Sequence, residues 1–328
     1  MTTTKETSDT PQPATGRWRR ARVIWNANAG AKGGIPTNPV GEEQLREVLR
    51  RHGLEDALVA PSSEADARRL VREAVRDRYD LVVAAGGDGT IAMVADELLG
   101  TETALGILPL GSIMNIPRML GLPRDVDAAA AVFGDGIVRV VDVGQARDRT
   151  FYEAGSVGMH AAMFRYAQEF DRGHYLAILR TIWVAIRYRP ARMSIELDDE
   201  TVRTRALMVT ASNGPYTGIG MTVAPDARLD DGAFDVRVFR GFSKPELLRH
   251  LVSIAFGRRA YSPHVSTYRS ARVRIESASP LPCRADSHDM GTTPIEFTVM
   301  PRALRVVVPA DWTGGPVTDE RSSRQASA

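Results

Sequence analysis

A run of five apolar residues, Leu81–Ala85, leads without a spacer into the glycine-rich segment Gly86–Thr90. Every position of the run is apolar, so both faces of the strand that it predicts must be covered. The residues that follow, from Ile91 to Leu98, place four apolar side chains at the i, i+3, i+4, i+7 spacing of one helix face. A buried strand that turns directly into a helix indicates a parallel sheet covered by helices.

The same alternation of strands and helices extends over the N-terminal part of the chain. Further strands are predicted at 22–25, 57–60 and 104–108, with helical patterns between them. Beyond this part most apolar runs are short, and several alternate apolar with polar residues, as in Val236–Val238. The predicted fold class is therefore α/β: an N-terminal doubly wound sheet domain with its loops at the strand ends, followed by a β-rich, sandwich-like second domain.

The change of pattern places the domain boundary near Val143–Gly144. The two ends of the chain are polar and without periodicity, so we expect disordered tails. The predicted division is a tail at 1–16, an α/β domain at 17–143, a β-rich domain at 144–311 and a tail at 312–328. Two helices, at 161–189 and 244–255, are expected to interrupt the strands of the second domain.

Composition excludes several classes of protein. The chain of 328 residues has 42 Lys and Arg against 40 Asp and Glu, and this balance argues against a nucleic-acid partner. The single cysteine, Cys283, excludes an intrachain disulfide and a multi-cysteine zinc site, and it fits a cytoplasmic setting. The most apolar helical stretch, 176–186, is too short to span a bilayer, so any membrane contact is expected to be peripheral. The oligomeric state stays open, a homodimer included.

The glycine-rich segment has the chemistry of a phosphate cradle. Glycines let the backbone approach a ligand closely, and a helix N-terminus offers free N–H groups and a positive dipole end to an anion. Asp88 fits such a site if a cation such as Mg²⁺, or a ribose hydroxyl, is its partner. The alternative is a plain strand-to-helix turn with Thr90 as the helix N-cap. The segment is neither a Walker loop nor a spaced G-x-G-x-x-G fingerprint.

Two other loops follow predicted strands of the same sheet. Because ligands bind outside the carboxyl ends of strands in open α/β sheets, these loops together predict a nucleotide site. Each loop alone is also compatible with ordinary turn chemistry. The residues assigned to the site are Asn26, Ala27, Asn28, Ala29, Gly30, Ser62, Gly86, Gly87, Asp88, Gly89, Thr90 and Ser112.

At these residues the chain resembles the diacylglycerol kinase catalytic-domain family, which includes sphingosine and ceramide kinases and bacterial lipid kinases. Gly86–Thr90 matches the glycine-rich motif of that family in full, and Pro109–Ser112 is similar to its Pro-Leu-Gly-Thr motif. Asn26–Gly30, Ala224–Ala233 and Pro301–Pro309 resemble further segments over both domains. The resemblance implies an ATP-dependent, Mg²⁺-requiring kinase of a lipid hydroxyl on a diacylglycerol or sphingoid-like acceptor. NAD kinases share the glycine-rich motif, so a kinase of a soluble acceptor is an alternative.

Three departures from the family pattern bear on activity. Asn115 stands where the family usually has an aspartate, and Met93 stands where it usually has a glutamate. The closing Asp-Gly-Glu of the family, which includes its proposed general base, is here Asp286-Ser287-His288. The resemblance therefore implies Asp286 and His288 as the catalytic residues, since histidine is a competent base near neutral pH. The alternative is that His288 is an exposed loop residue and the protein binds nucleotide or lipid without turnover.

A second metal site is implied by the resemblance in the β-rich domain. There the family holds a structural Mg²⁺ with one aspartate and backbone carbonyls, which assigns Asp231 with the carbonyls of Arg228 and Ala233. The residues themselves are equally compatible with a hairpin turn, because Asp-Gly favours one.

Overall fold

The protein is described by a computed structural model that covers residues 12–13, 18–27, 31–32, 35–36, 40–54, 57–164, 187–218, 220–241, 246 and 264–315. The helices in these ranges are α1 (Glu42–Arg51), α2 (Glu64–Arg76), α3 (Asp88–Leu98), α4 (Asn115–Met119) and α5 (Val126–Asp135). The strands up to residue 146 are β1 (Gln12–Pro13), β2 (Ala21–Trp25), β3 (Ala31–Lys32), β4 (Ile35–Pro36), β5 (Leu58–Val59), β6 (Leu81–Gly86), β7 (Ala104–Pro109) and β8 (Ile137–Ala146).

The remaining strands belong to the C-terminal part. They are β9 (Arg149–Phe151), β10 (Ala154–Gly158), β11 (Ala191–Glu196), β12 (Thr201–Ala206), β13 (Met208–Ser212), β14 (Tyr216–Thr217), β15 (Met221–Thr222), β16 (Phe234–Phe239), β17 (Val265–Ser270), β18 (Arg272–Ser277), β19 (Pro282–Ala285), β20 (His288–Thr292) and β21 (Ile295–Val308). The predicted helices at 161–189 and 244–255 and both predicted tails lie largely outside the described residues. No helix among the residues that can be described is long and apolar enough to cross a membrane.

The N-terminal part is built on parallel strands in the order β5, β2, β6, β7. All six residues of β6 and all six of β7 are buried, which explains their unbroken apolar sequences. Helix α2 begins after the N-cap Ser63, whose side chain accepts a hydrogen bond from the Asp66 N–H, and it buries one apolar stripe. The predicted helix-covered parallel sheet is confirmed.

The C-terminal part is a sandwich of antiparallel sheets. One sheet has six strands in the order β17, β16, β13, β10, β19, β20, and the strands β12, β11, β18 and β21 form the other face. Between the sheets, the Phe151 ring stacks on Phe234 at 5.5 Å and meets the edge of Phe297 at 5.8 Å between ring centroids. The predicted β-rich, sandwich-like architecture is confirmed.

Strand β21 joins the two parts. It pairs in parallel with β7 and antiparallel with β8 and β18, so one sheet of eleven strands runs through both parts. The apolar runs at 295–299 and 303–308 predict two strands here, whereas the structure has one strand with a register shift between Met300 and Leu304. The predicted boundary at Val143–Gly144 falls inside β8, which pairs along most of β21.

Candidate active site

The glycine-rich turn lies where β6 ends and α3 begins. Gly87 is the N-cap of α3, so the helix starts three residues earlier than an N-cap at Thr90 would allow. A Cβ atom on Gly86 would lie 2.6 Å from the Thr90 side chain, which explains a glycine at this position. Gly89 differs, because nothing lies within 4 Å of a Cβ atom placed there. No contact within the described structure therefore requires a glycine at residue 89.

The predicted loops at the sheet edge are close to one another. The Asn26 side-chain amide donates to the Thr90 hydroxyl at 3.0 Å, and the N–H of Leu110 donates to the Gly86 carbonyl at 3.0 Å. A Cβ atom on Gly111 would lie only 2.7 Å from the Gly87 Cα atom, so the second loop packs backbone to backbone on the glycine-rich turn. Each loop follows the carboxyl end of its own parallel strand, and neighbouring strands bring these ends together.

The other residues assigned to the nucleotide site lie in three separate loops, and some of them lie outside the described residues. Ala27 follows Asn26 and is exposed, while Asn28, Ala29 and Gly30 lie outside the described residues. Ser62 lies just before α2 and its N-cap Ser63, and its N–H and its hydroxyl both donate to the Asp66 carboxylate. The Ser112 carbonyl accepts a hydrogen bond from the Arg124 side chain at 3.1 Å.

Asp88 points from the start of α3 to the start of α4. Its carboxylate accepts the backbone N–H groups of Asn115 at 3.1 Å and Ile116 at 3.0 Å. Met114, the N-cap of α4, is in the left-handed conformation with a φ of 60°, and it has no side-chain hydrogen bond of its own to the helix. Burial raises the pKa of Asp88, although these N–H groups favour its charged form. Asp88 thus ties the glycine-rich turn to the following loop.

Asp286 lies in the tight turn between β19 and β20, with a φ of 46°. Its carboxylate accepts the N–H groups of Tyr152 at 2.7 Å, Glu153 at 2.9 Å and Ala154 at 3.1 Å. Burial raises the pKa of Asp286 in spite of these three donors. His288 lies at the start of β20 with most of its side chain exposed. Its pKa is lowered first by the burial of the remaining part and second by the charge of Arg149. Of the two predicted catalytic residues, Asp286 is therefore held by backbone donors, whereas His288 faces solvent.

Glu153 is a buried carboxylate that the sequence analysis missed. It is 8% exposed, and its Oε2 atom accepts the Gly218 N–H at 3.0 Å. Burial raises its pKa, and the charges of Asp286 and Asp88 raise it further, so all three carboxylates lie near one another. The only sequence signal is a glutamate within an otherwise apolar and small-residue segment, Phe151–Ser156.

Two basic side chains lie in this part of the structure: Arg284, which is buried beside Glu153 and Asp286, and His160, which is half-buried and feels the charge of Arg284. Arg284 is 4% exposed, and within the described structure its Nε and Nη1 atoms have no hydrogen-bond partner. Burial lowers the pKa of Arg284 to about 10, against the favourable charges of Glu153 and Asp286. His160 contacts the Ser156 hydroxyl at 3.1 Å, and burial, with the Arg284 charge second, lowers its pKa to about 3.

The residues assigned to the second metal site lie in the loop before β16. Asp231 accepts the Ala233 N–H at 3.2 Å and forms an ion pair with Arg269, while Arg228 pairs with Asp230. Among the residues that the structure describes, no three His, Cys, Asp or Glu side chains are grouped to hold a metal ion. A cation at Asp231 has to compete with the Arg269 guanidinium, and this site stays a prediction.

Two family models match the chain in succession. The model described as the diacylglycerol kinase catalytic domain matches residues 20–146. The model described as the YegS C-terminal NAD kinase beta sandwich-like domain matches residues 155–308. The N-terminal part of the chain thus matches a diacylglycerol kinase catalytic domain, and the C-terminal part matches a YegS C-terminal domain. The family resemblance carried by Gly86–Thr90 and the other motifs is confirmed.

Relatives in this family align with most of the chain. A diacylglycerol kinase of Bacillus subtilis (strain 168) is 26% identical over 302 residues, which cover 89% of this chain and 97% of the relative. A protein of Pseudomonas aeruginosa that is named probable lipid kinase YegS-like is 29% identical over 290 residues. The alignment covers 85% of this chain and 93% of that relative. A solved diacylglycerol kinase from Bacillus anthracis str. Sterne superimposes with a TM-score of 0.67 at 18% identity, over 90% of this chain and 98% of its own, and so has the same fold.

Proposed function

We propose that the protein is an ATP-dependent lipid kinase that transfers the γ-phosphate of ATP to the hydroxyl of a diacylglycerol or sphingoid-like acceptor. The names of its relatives support lipid phosphorylation as the activity. The geometry around Asp88 and Asp286 supports a site at which a nucleotide and an acceptor meet.

One observation carries the proposal: a continuous path of hydrogen bonds joins the glycine-rich turn to Asp286. Asp88 accepts the Asn115 N–H, and the Asn115 amide donates to the Gly218 carbonyl at 2.9 Å. The Gly218 N–H donates to Glu153, whose own N–H donates to Asp286. Phosphoryl transfer requires that the nucleotide phosphates and the acceptor hydroxyl are held close together in one geometry. A path of hydrogen bonds from the glycine-rich turn to Asp286 supports such an arrangement.

The nucleotide is proposed to lie at the sheet edge with its phosphates on the start of α3. The first turn of a helix presents N–H groups and a positive dipole end to phosphate oxygens. Gly89 supports this placement, because it is exposed and has open space around its Cα atom. A glycine costs about 1 kcal/mol relative to alanine within a helix, and close approach of a ligand to the backbone accounts for keeping it.

Asp286 is proposed to orient the acceptor hydroxyl and accept its proton. Three backbone N–H groups hold its carboxylate in one orientation, and burial raises its pKa toward the range useful for a base. Exposed His288 then has a lesser part, in relaying the proton to water.

The donor set at this site fits a divalent cation. Asp88 lies at the start of α3, and the buried side-chain oxygen of Asn115, whose N–H donates to Asp88, has no hydrogen-bond partner within the described structure. Mg²⁺ takes oxygen ligands of this kind together with phosphates and water. When bound, such a cation supplies charge neutralisation on the phosphates.

The test is transfer of label from γ-labelled ATP by the purified full chain. The acceptors are vesicles that contain diacylglycerol, vesicles that contain a sphingoid base, and NAD in solution. We expect label in one lipid and none in NAD. Label in NAD alone would replace the proposal with a soluble-acceptor kinase. Nucleotide binding without any labelled acceptor would replace it with the non-catalytic alternative.

Sedimentation with the same vesicles tests membrane contact. A diacylglycerol-type acceptor resides in a bilayer, so we propose that the protein binds the membrane surface peripherally. Sedimentation with vesicles is expected to increase when the acceptor lipid is included. Equal sedimentation with and without vesicles would contradict the contact.

A further inference from the structure

The six-stranded sheet carries polar side chains on the face that is turned away from the sandwich core. Alternate residues of its strands enter that core, so the residues between them lie on the other face. On the neighbouring strands β19, β10 and β13 this other face carries Arg284, Ser156 and Thr210, and the pairing places Ser156 opposite both of the others. Ser212 lies two residues beyond Thr210 on the same face. These four residues, each at most 4% exposed, form the polar cluster.

Most of the polar cluster lacks hydrogen-bond partners. Among the residues that the structure describes, five buried side-chain polar atoms have no partner, and four of the five are Nε and Nη1 of Arg284, Oγ1 of Thr210 and Oγ of Ser212. The Ser156 hydroxyl differs, because it contacts Nδ1 of His160 at 3.1 Å. A buried polar atom without a partner costs free energy. Four such atoms on one face of one sheet therefore indicate that a bound ligand supplies their partners.

Arg284 is the costliest member of the polar cluster. Burial lowers its pKa to about 10, so it is still charged at neutral pH. The Phe164 ring lies against its guanidinium, but a ring face offers no hydrogen-bond acceptor to its N–H groups. Arg237 lies on the same face, opposite Thr210, and it pairs with Asp235 at 2.9 Å. The described structure thus provides oxygen partners for one arginine of this face and not for the other.

The polar cluster adjoins the position proposed for the acceptor hydroxyl. The Asp286 carboxylate accepts the Ala154 N–H, and the Asp286 N–H donates to the Ala154 carbonyl. Arg284 pairs with Ser156, which lies two residues further along the same strand, a distance of about 7 Å. An acceptor whose hydroxyl meets Asp286 therefore has its neighbouring polar groups within reach of Arg284.

The two kinds of acceptor in the proposed function differ in the groups beside the hydroxyl. A diacylglycerol has ester carbonyl oxygens there, which accept hydrogen bonds. A sphingoid base has an ammonium group there, which is positively charged and can only donate. The guanidinium of Arg284 is likewise positively charged and can only donate, so it fits the carbonyl oxygens and repels the ammonium group.

We propose that Arg284, together with the hydroxyls of Thr210 and Ser212, binds the ester carbonyl oxygens of the acceptor and thereby selects an uncharged, ester-linked acceptor over a cationic one. The inference rests on the proposed function and deepens it, because it assigns acceptor selectivity to named side chains of the β-rich part.

Acceptor selectivity of the full chain tests the inference. The two lipids compared are a diacylglycerol and the matching dialkylglycerol, which keeps the hydroxyl and the chains but has methylene groups in place of both ester carbonyls. We expect kcat/KM to be about 10- to 100-fold higher for the diacylglycerol. Arg284→Met should lose most of this preference, and Thr210→Val should lose part of it. Arg203→Met, at an exposed arginine of β12, is the matched control and should keep the preference.

Stability separates this role from a structural one. Replacing an unpaired buried charge with an apolar side chain of similar length removes a desolvation cost, so the midpoint of thermal unfolding of Arg284→Met should equal or exceed that of the parent. A lower midpoint with an unchanged preference for the diacylglycerol would make Arg284 a structural residue and overturn the inference. If Arg284→Met does not fold, Thr210→Val decides, and an unchanged preference in that variant would overturn the inference.

Two further outcomes would overturn it: equal phosphorylation of the two lipids by the parent, or a parent that prefers a sphingoid base to the diacylglycerol. Sedimentation with vesicles in the absence of ATP separates the inference from the proposed function. We expect the parent, but not Arg284→Met, to bind diacylglycerol vesicles more strongly than dialkylglycerol vesicles. That result in a protein that labels no lipid would contradict the proposed function alone.

Discussion

The glycine-rich turn and the turn that carries Asp286 meet at one site but are built from different materials. Around Gly86–Thr90 the chain contributes backbone and small side chains, and Gly87 and Gly111 touch without side chains between them. Around Asp286 it contributes ionisable side chains: Glu153 and Arg284, which are buried, and the half-buried aspartate itself. In the first region the available space limits which side chains are tolerated, whereas in the second region electrostatic interactions do.

The two regions should therefore tolerate different kinds of substitution. Adding a methyl group harms a backbone-to-backbone contact but leaves charges untouched. Removing one charge from a buried cluster leaves its neighbours with uncompensated interactions, while the packing stays nearly the same. A nearly isosteric substitution that removes a charge should therefore impair the protein when it is made near Asp286. A substitution that adds volume should impair it when it is made in the glycine-rich turn.

The largest effect is expected for Asp286→Asn. The amide keeps the size of the side chain but cannot accept a proton, so we expect kcat to fall about 10²- to 10⁴-fold with little change in the KM for ATP. Asp289→Asn, at an exposed aspartate on β20, is the matched control and should retain activity. Steady-state kinetics with the lipid acceptor make the measurement. An Asp286→Asn enzyme with unchanged kcat would remove Asp286 from the chemistry.

Gly111→Ala should have the next largest effect, and the effect should appear as lost stability. The new Cβ atom would lie 2.7 Å from the Gly87 Cα atom and 2.6 Å from the Met114 sulfur. Met114 can move, but the backbone of the glycine-rich turn cannot do so cheaply, so we expect a loss of about 2–3 kcal/mol in the free energy of unfolding. Denaturant unfolding makes the measurement. Gly241→Ala, where the nearest atom is at 3.8 Å, should be nearly neutral. Equal stability of the two variants would show that the loops do not pack tightly.

The same difference explains what could be predicted from the sequence. The strands β6 and β7 and the loops after them were predictable, because hydrophobic runs and glycine motifs are local signals. Their convergence followed from the general rule for parallel strands. Glu153 was not predictable, since its partners Gly218 and Asp286 are 65 and 133 residues away in the chain.

Two elements of the fold were missed for other physical reasons. Helix α4 has five residues and contains Pro117, so it is too short to show a helical period. Its start is stabilised by Asp88, through a contact across 27 residues. Strand β8 runs through the predicted boundary at Val143–Gly144, because its pairing with the distant β21 outweighs the local change of pattern.

A histidine that the fold keeps neutral should also make the Asp286 side sensitive to pH. The pKa of His160 is lowered to about 3, so below its ordinary value of 6.5 the unfolded chain binds a proton more readily than the folded chain does. Stability is therefore lost as the pH falls, by about 2 kcal/mol from this residue at pH 5. His160→Gln cannot be protonated, so its loss of unfolding free energy between pH 7 and pH 5 should be about 2 kcal/mol smaller. Equal losses in parent and variant would mean that the fold does not keep His160 neutral.

The smallest change in stability, but a diagnostic one, is expected for Gly89→Ala. Nothing lies within 4 Å of the new Cβ atom, and alanine favours a helix, so the free energy of unfolding should rise by at most about 1 kcal/mol. Gly134→Ala, at an exposed and equally open position of α5, should give a similar gain. The two variants should differ in ATP binding, measured by titration calorimetry, because only at residue 89 does the methyl group enter the space assigned to the phosphates. If both bind ATP as the parent does, the open space at Gly89 is not the phosphate site, and the glycine-rich turn is a packing feature alone.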